Sequence, residues 1–158
     1  MAENVGHRSI IMPIDSSDHS LRAFEWYQSN IKQSGDILIL VHIVEPQYAT
    51  SVISISDSFK FKIDDMDSKM DSASKKAKEL IEKYTKLAEK EGIHAKGIIN
   101  VDNKAGDAIV KITLDNKASM IIIGNRGIGT IRRTILGSTS DYILSHANVP
   151  VIIVPPPK

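Results

Sequence analysis

Four short runs of Ile and Val without polar interruption limit the folds open to this chain more than any other feature. They are Ser9-Ile-Ile-Met-Pro-Ile14, Ile37-Leu-Ile-Leu-Val-His-Ile43, Met120-Ile-Ile-Ile123 and Val149-Pro-Val-Ile-Ile-Val154. A strand with one wet face alternates apolar and polar residues, so unbroken apolarity means burial on both faces, the habit of parallel sheets covered by helices. A fifth, weaker strand is expected over His94–Val101, between a glycine and a polar turn. Segments of helical period separate the runs. Leu21, Phe24, Tyr27 and Ile31 form one stripe; Met70, Ala73, Ala77, Leu80, Ile81, Tyr84, Leu87 and Ala88 form a longer one that stops at Gly92, a natural C-terminal cap. A third helix is expected from about Gly106 to Asn116 with Ile109 and Ile112 inward, and a fourth from Ser138 to His146 with Tyr142 and Ile143. The order βαβαβαβαβ predicts a single doubly wound α/β domain over residues 1–158, its five-stranded parallel sheet carrying helices on both faces. The usual orders set the first strand beside the fourth or the third, and 3-2-1-4-5 is the order expected.

Composition narrows the function classes. At 158 residues the chain can bury a full core unaided, and 20 basic against 19 acidic residues leave a net charge of +1, without the basic footprint of a nucleic-acid or anionic-membrane binder. Nowhere does an apolar run approach a membrane span, and Met1–Ser9 is polar, so a cytoplasmic protein is expected. The absence of cysteine excludes disulfides, thiolate metal sites and cysteine nucleophiles. The stretch Pro46–Asp67 departs from compactness; its Ser-rich half, Thr50–Ser58, follows the end of the second strand and reads either as a flap over a ligand or as a plain disordered loop.

In open α/β sheets ligands bind beyond the carboxyl ends of the strands, where the strand order reverses. Two segments matter there. After the first strand comes the polar turn Asp15-Ser16-Ser17-Asp18; after the fourth comes Gly124-Asn-Arg-Gly127-Ile-Gly129-Thr-Ile-Arg132-Arg133-Thr-Ile-Leu-Gly137-Ser138-Thr139-Ser140. Glycines allow close backbone approach, arginines supply charge, and a hydroxyl cluster opens a helix, which together suit an anionic phosphate chain. Each part also has a plainer reading, since glycine after a strand often only turns the chain and Ser138 could be only an N-cap. Two other phosphate loops are excluded: there is no G-x-x-x-x-G-K-[ST], and no G-x-G-x-x-G follows the first strand.

Single residues divide between site and scaffold. Asp15 reads as a ribose or metal contact, because Ser16 or Ser17 could cap the following helix without it. Arg126, held between two glycines, is the arginine best placed to meet phosphate, whereas Arg132 and Arg133 read as solvated. His42, inside an apolar run, reads as a satisfied core histidine, and Trp26 and Tyr27 read as core packing. Glu79 with Lys83 and Glu82 with Lys86 describe a solvated helix face. Prolines bracket the apolar last strand, which therefore belongs at a sheet edge; so hydrophobic an edge is usually paired, and a two-fold dimer through Val149–Val154 is expected.

The spacing Gly124-x2-Gly127-x9-Gly137-Ser138 resembles the ATP-binding signature of the universal stress protein family. Met12-Pro13-Ile14-Asp15-Ser16-Ser17 resembles that family's first strand and acidic turn, Leu40-Val41-His42-Ile43 its second strand, and Asn148-Val149-Pro150-Val151 its last, so the likeness runs in order from Ser9 to Val154. It implies that Asp15 lies by the nucleoside and that Ile43 meets adenine through its backbone. It also implies that Gly124, Gly127, Gly137, Ser138 and Thr139 surround ribose and phosphates, with Mg²⁺ or Mn²⁺ bridging the phosphates. With Pro13, Ser16, Arg126 and Ser140 from the same segments, these residues make up the candidate site for ATP or AMP. Asn103 stands where many members carry glycine, and Ser119 where an acidic residue is common. The function implied is a dimeric, nucleotide-binding stress-response module. A slow ATPase or phosphotransfer enzyme is the alternative, although no side chain announces itself as a base to orient water. A nucleotide-independent interaction or chaperone-like protein is the third reading.

Overall fold

The apolar runs pair with one another. A computed structural model describes residues 6–46, 72–125 and 136–157. In chain order its elements are β1 (Ser9–Pro13), α1 (Asp18–Asn30), β2 (Ile37–Val44), α2 (Ser72–Lys90), β3 (His94–Val101), α3 (Ala105–Asp115), β4 (Met120–Gly124), α4 (Ser138–His146) and β5 (Val151–Val154). All strand pairs are parallel, in the order β3-β2-β1-β4-β5. The registers run from Ser9 opposite Ile37 to Pro13 opposite Val41, Ile10 opposite Met120, and Ile121 opposite Val151. Because β1 lies between β2 and β4, the chain reverses direction across the sheet at β1, and a crevice opens above its end. Among the described residues no helix is long and apolar enough to cross a membrane. The Thr50–Ser58 segment, Met70, Arg126, Gly127, Arg132 and Arg133 lie outside the described residues.

Alternation along each strand feeds two cores, one per face. Ile10, Met12, Leu38, Leu40 and Ile122 meet Phe24 and Tyr27 of α1 and Ile81 and Tyr84 of α2; Ile11, Ile39, Val41, Ile121 and Ile123 meet Ile109 and Ile112 of α3 and Ile143 of α4. Ile10, Ile11 and Met12 are wholly buried, which explains why β1 reads as continuously apolar. Each such side chain contributes about 1.5–3 kcal/mol on burial. Phe24 and Tyr84 meet edge to face, with ring centroids 6.1 Å apart. The long second stripe ends as expected: α2 stops at Lys90, and Gly92 takes a left-handed φ of +66° while the Ile93 N–H returns to the Ala88 carbonyl at 2.9 Å.

Beneath the opposite, N-terminal end of the sheet lies a charged clasp that sequence reading had not singled out. The buried Asp36 carboxylate accepts two bonds from the Arg8 guanidinium, from Nε at 2.8 Å and Nη2 at 2.7 Å, and further bonds from the Tyr27 hydroxyl at 2.8 Å and the Gln33 N–H at 2.9 Å. Arg8 also reaches the Ile31 carbonyl at 2.9 Å. The start of β1, the end of α1 and the start of β2 are thereby tied at one point. Burial alone would raise the Asp36 carboxyl, but the guanidinium, the Gln33 N–H and the Tyr27 hydroxyl outweigh it and hold the group below its usual value. Burial and the bond to Asp36 push the Tyr27 phenol well above its ordinary range.

Candidate functional site

A cleft of about 330 Å³ opens at the carboxyl ends of β1, β2 and β4, near the small end of the range for small-molecule sites, roughly 300–1,000 Å³. Three helices begin at its wall: α1 through Ser17, His19 and Ser20, α3 through Ala105 and Ile109, and α4 through Gly137, Ser138, Thr139 and Ser140. Each helix start carries roughly half a positive charge from its aligned peptide dipoles. At α4 these dipoles are uncapped by side chains, because Gly137 occupies the N-cap position and has none to give. The first closing bond, Asp141 N–H to the Gly137 carbonyl at 2.9 Å, leaves the N–H groups of Ser138, Thr139 and Ser140 ahead of the helical ladder. Beside them stand three hydroxyls, so this corner of the cleft is a set of donors.

Across the cleft the wall is the end of β2. Val41 accepts the Ile14 N–H on its carbonyl at 2.8 Å, and Val44 accepts the Asp102 N–H at 3.1 Å. Residues of a strand alternate the side to which they turn both backbone groups, so Val41 and Ile43 face β1 while His42 and Val44 face β3. Since β1 ends at Pro13, the N–H and C=O of Ile43 look past its end into the cleft. His42 also lines the cleft and is half-buried; its Nδ1 lies 2.8 Å from the Ile14 carbonyl, which can only accept, so Nδ1 carries the hydrogen.

Asp15 lines the floor and organises the turn into α1. Its Oδ1 accepts the Ser17 N–H at 2.9 Å, the Ser20 hydroxyl at 3.0 Å and the Ser17 hydroxyl, while the Asp15 N–H donates to Ser20 Oγ at 2.8 Å. Ser17 holds the N-cap position without making a side-chain cap bond. Asp15 therefore fixes the turn that leads into α1, and the side-chain cap expected of Ser17 is not made. Arg22 Nη2 meets the Asn125 carbonyl at 2.9 Å and His19 Nδ1 at 3.0 Å, fixing α1 against the end of β4 and making His19 Nδ1 the acceptor.

Of the residues expected at the site, Pro13, Asp15, Ile43, Gly124, Gly137, Ser138, Thr139 and Ser140 line the cleft. Ser16 is exposed and is not part of the lining, and Arg126 and Gly127 lie outside the described residues. Gly124 has a second role: a Cβ there would fall 2.6 Å from the His19 carbonyl carbon and nearer still to its oxygen, so the close approach of α1 to β4 requires glycine. At Gly137 an added Cβ would meet none of the described residues within 4 Å. Sequence reading placed Ser17 in one of the two turns that matter, missed His19, Ser20, Glu45, Ala105 and Ile109 as lining residues, and read His42 as a satisfied core histidine. The position of His42 near the end of a central strand was the available signal. Among the described residues the lining has no Lys or Arg, and no group of three or more His, Cys, Asp or Glu could hold a metal ion.

Comparison with known proteins adds the lineage. The family model for the universal stress protein family matches residues 6–155. The chain belongs to this family. A universal stress protein of Thermus aquaticus is 26% identical over 93% of this chain and 98% of its own length, and universal stress protein MJ0577 of Methanocaldococcus jannaschii is 24% identical over 96% of each. The solved structure of MJ0577 shares the fold at a TM-score of 0.72 and 22% identity, covering 96% of this chain and 98% of that one. An Arabidopsis thaliana universal stress protein family structure with AMP bound (TM-score 0.64, 20% identity, 93% and 90% covered) also shares it. So does a universal stress protein in complex with cAMP (TM-score 0.67, 22% identity, 94% and 97% covered). Some relatives are longer: the chain spans 22% of an uncharacterised Schizosaccharomyces pombe protein and 50% of a universal stress protein from Mycolicibacterium smegmatis.

Proposed function

We propose that this universal stress protein is a dimeric regulatory module that binds an adenine nucleotide, ATP or AMP, in the cleft above β1. The observation that carries the reading is the pairing of two unlike walls. The Ile43 edge offers one backbone donor and one acceptor, which suits the N1 acceptor and N6 amino donor of adenine. The α4 corner offers N–H groups, hydroxyls and a helix dipole, which suit phosphate. Asp15 lines the same cleft and is the acidic group that would accept from a ribose hydroxyl. The AMP and cAMP held by two structures of the same fold support the ligand class. A divalent ion would be held through the phosphates, since Mg²⁺ usually keeps several waters and needs no cage of protein ligands.

Native mass spectrometry of freshly purified protein, followed by calorimetric titration of AMP and of ATP with Mg²⁺, tests this. One adenine nucleotide per chain is the expected result. A chain that stays empty after both additions overturns the reading and favours a nucleotide-independent interaction protein.

The dimer is expected through β5. This edge strand leaves Val151, Ile152 and Ile153 only partly buried, and Leu144 on the neighbouring α4 is half exposed. Such an edge is ordinarily paired or covered. Light scattering at micromolar concentration is expected to give twice the 17.4 kDa chain mass; a monomer's mass would sink the idea.

A further inference from the structure

We infer that His42 is a positioning residue that keeps the nucleobase edge of the cleft open by taking the Ile14 carbonyl out of the sheet. The inference rests on the adenine-binding reading above and concerns how the chain makes that edge available. In the parallel ladder between β1 and β2, Pro13 lies opposite Val41, and Ile14 N–H donates to the Val41 carbonyl at 2.8 Å. Continued by one rung, the same ladder would send the Ile43 N–H to the Ile14 carbonyl. The two strands would then be zipped two residues further, and Ile43 would have no donor left for a ligand. Among the described residues the backbone bonds at this end include the Ile14 N–H bond but none from Ile43 to Ile14. The Ile14 carbonyl instead accepts from His42 Nδ1 at 2.8 Å.

Geometry explains why residue 42 can do this. Leu40 and Val44, two positions away on either side, join the core between the sheet and helices α1 and α2, the core that also holds Ile14. Alternation therefore carries the His42 side chain to that face, and Ile43 to the opposite one, where it packs with the α3 and α4 core. An imidazole is short enough for Nδ1 to reach a carbonyl at the neighbouring strand's end. Its hydrogen bond draws that carbonyl away from the line between the strands. The same bond holds the chain leading into Asp15, so one side chain sets both the open Ile43 edge and the approach to the acidic turn. A buried carbonyl needs a donor, and supplying it from a side chain frees the backbone donor that the ladder would otherwise consume.

Two variants test the inference. His42→Val removes the donor and retains a β-former, whereas His42→Asn keeps an amide N–H close to the place of Nδ1. The first readout needs no ligand: amide hydrogen exchange followed by NMR on the full chain. In the unmodified protein the Ile43 amide is expected to exchange freely; in His42→Val it joins the ladder and slows about tenfold or more, and in His42→Asn it stays free. The second readout is the affinity for AMP against inosine monophosphate, whose base presents a donor at N1 and an acceptor at O6, the reverse of adenine. Preference for AMP is expected to be about tenfold in the unmodified protein and in His42→Asn, and to fall to about twofold or less in His42→Val. An Ile43 amide whose exchange is the same in His42→Val and the unmodified protein overturns the inference, as does a His42→Asn that behaves like His42→Val. If no nucleotide binds any form, the adenine reading fails, and the exchange comparison still decides whether His42 opens the strand edge.

Discussion

Asp36→Ala is expected to cost about 3–5 kcal/mol, the range for removing one partner of a buried ion pair, and to lower Tm by roughly 10 °C for a chain of this size. The reason is the number of groups it abandons. The carboxylate is 3% exposed and satisfies the Arg8 guanidinium, the Tyr27 hydroxyl and the Gln33 N–H together. Truncation leaves a part-buried cation and a buried phenol facing a void. Tyr27→Phe, which removes only one donor and leaves Arg8 and Gln33 on the carboxylate, is expected to cost about 1 kcal/mol. The ordering of these two variants separates an integrated clasp from an incidental surface pair. The pH dependence has a definite sign. The folded-state value of Asp36 is lowered from its ordinary 3.8, so the clasp contributes fully above about pH 4. Its contribution is lost as pH falls below that and through the depressed value, where the folded form also takes up the proton. Asp36→Asn has no carboxyl to titrate, so the Tm gap between it and the unmodified protein is expected to narrow below pH 4. A gap that is constant from pH 7 to pH 3, measured by thermal melts, rules out the clasp as the source.

That clasp also shows where sequence reading ended. The strands were legible because both faces of each are buried: Ile10, Ile11 and Met12 carry no exposed surface, so nothing polar interrupts the run. Gly92 was legible as a helix stop because it takes a left-handed φ. The proline-bracketed last strand was legible as an edge because β5 has a neighbour on one side only. Asp36 was not, since an acidic residue between Gly35 and Ile37 looks like an ordinary turn and its partner Arg8 is 28 positions away. Tyr27 was placed correctly in the core, but its hydroxyl bond could not be foreseen from helical spacing. In the site, the wall residues that follow the strands were found because they lie in the two informative turns. His19, Ser20, Ala105 and Ile109 were missed because they reach the cleft only through the packing of helix starts around one point. His42 was judged by its apolar neighbours. What decides its role is that β1 ends opposite Val41, a long-range fact of register.

The two glycines that flank the fourth strand and the fourth helix looked equivalent in sequence, and their substitution by alanine is expected to separate them. Gly124→Ala is expected to cost about 3 kcal/mol or more, because the added methyl meets backbone of α1 at His19, which cannot rotate away as a flexible side chain could. Relief would require α1 to move off the sheet, against Phe24, Tyr27 and the Arg22 bonds to Asn125 and His19. Gly137→Ala has no such obstacle. Its φ of −64° is open to any residue, and among the described residues an added Cβ there has no atom within 4 Å. Alanine is a poorer N-cap than glycine but restricts the unfolded chain more, so the two effects nearly cancel and stability is expected to change by less than about 1 kcal/mol. Gly137 does, however, line the cleft at the donor corner of α4, where an added methyl group is expected to crowd a phosphate. AMP affinity is therefore expected to fall by about tenfold, or 1.4 kcal/mol, in a protein that melts within a few degrees of the unmodified one. Melts beside calorimetric titrations check both. If both results hold, the glycine spacing has two physical origins, with Gly124 kept by the packing of α1 and Gly137 by the nucleotide proposed for the cleft. If Gly137→Ala left affinity unchanged, phosphate would have to sit away from α4. If Gly124→Ala melted normally, α1 would have room that the close approach to His19 denies.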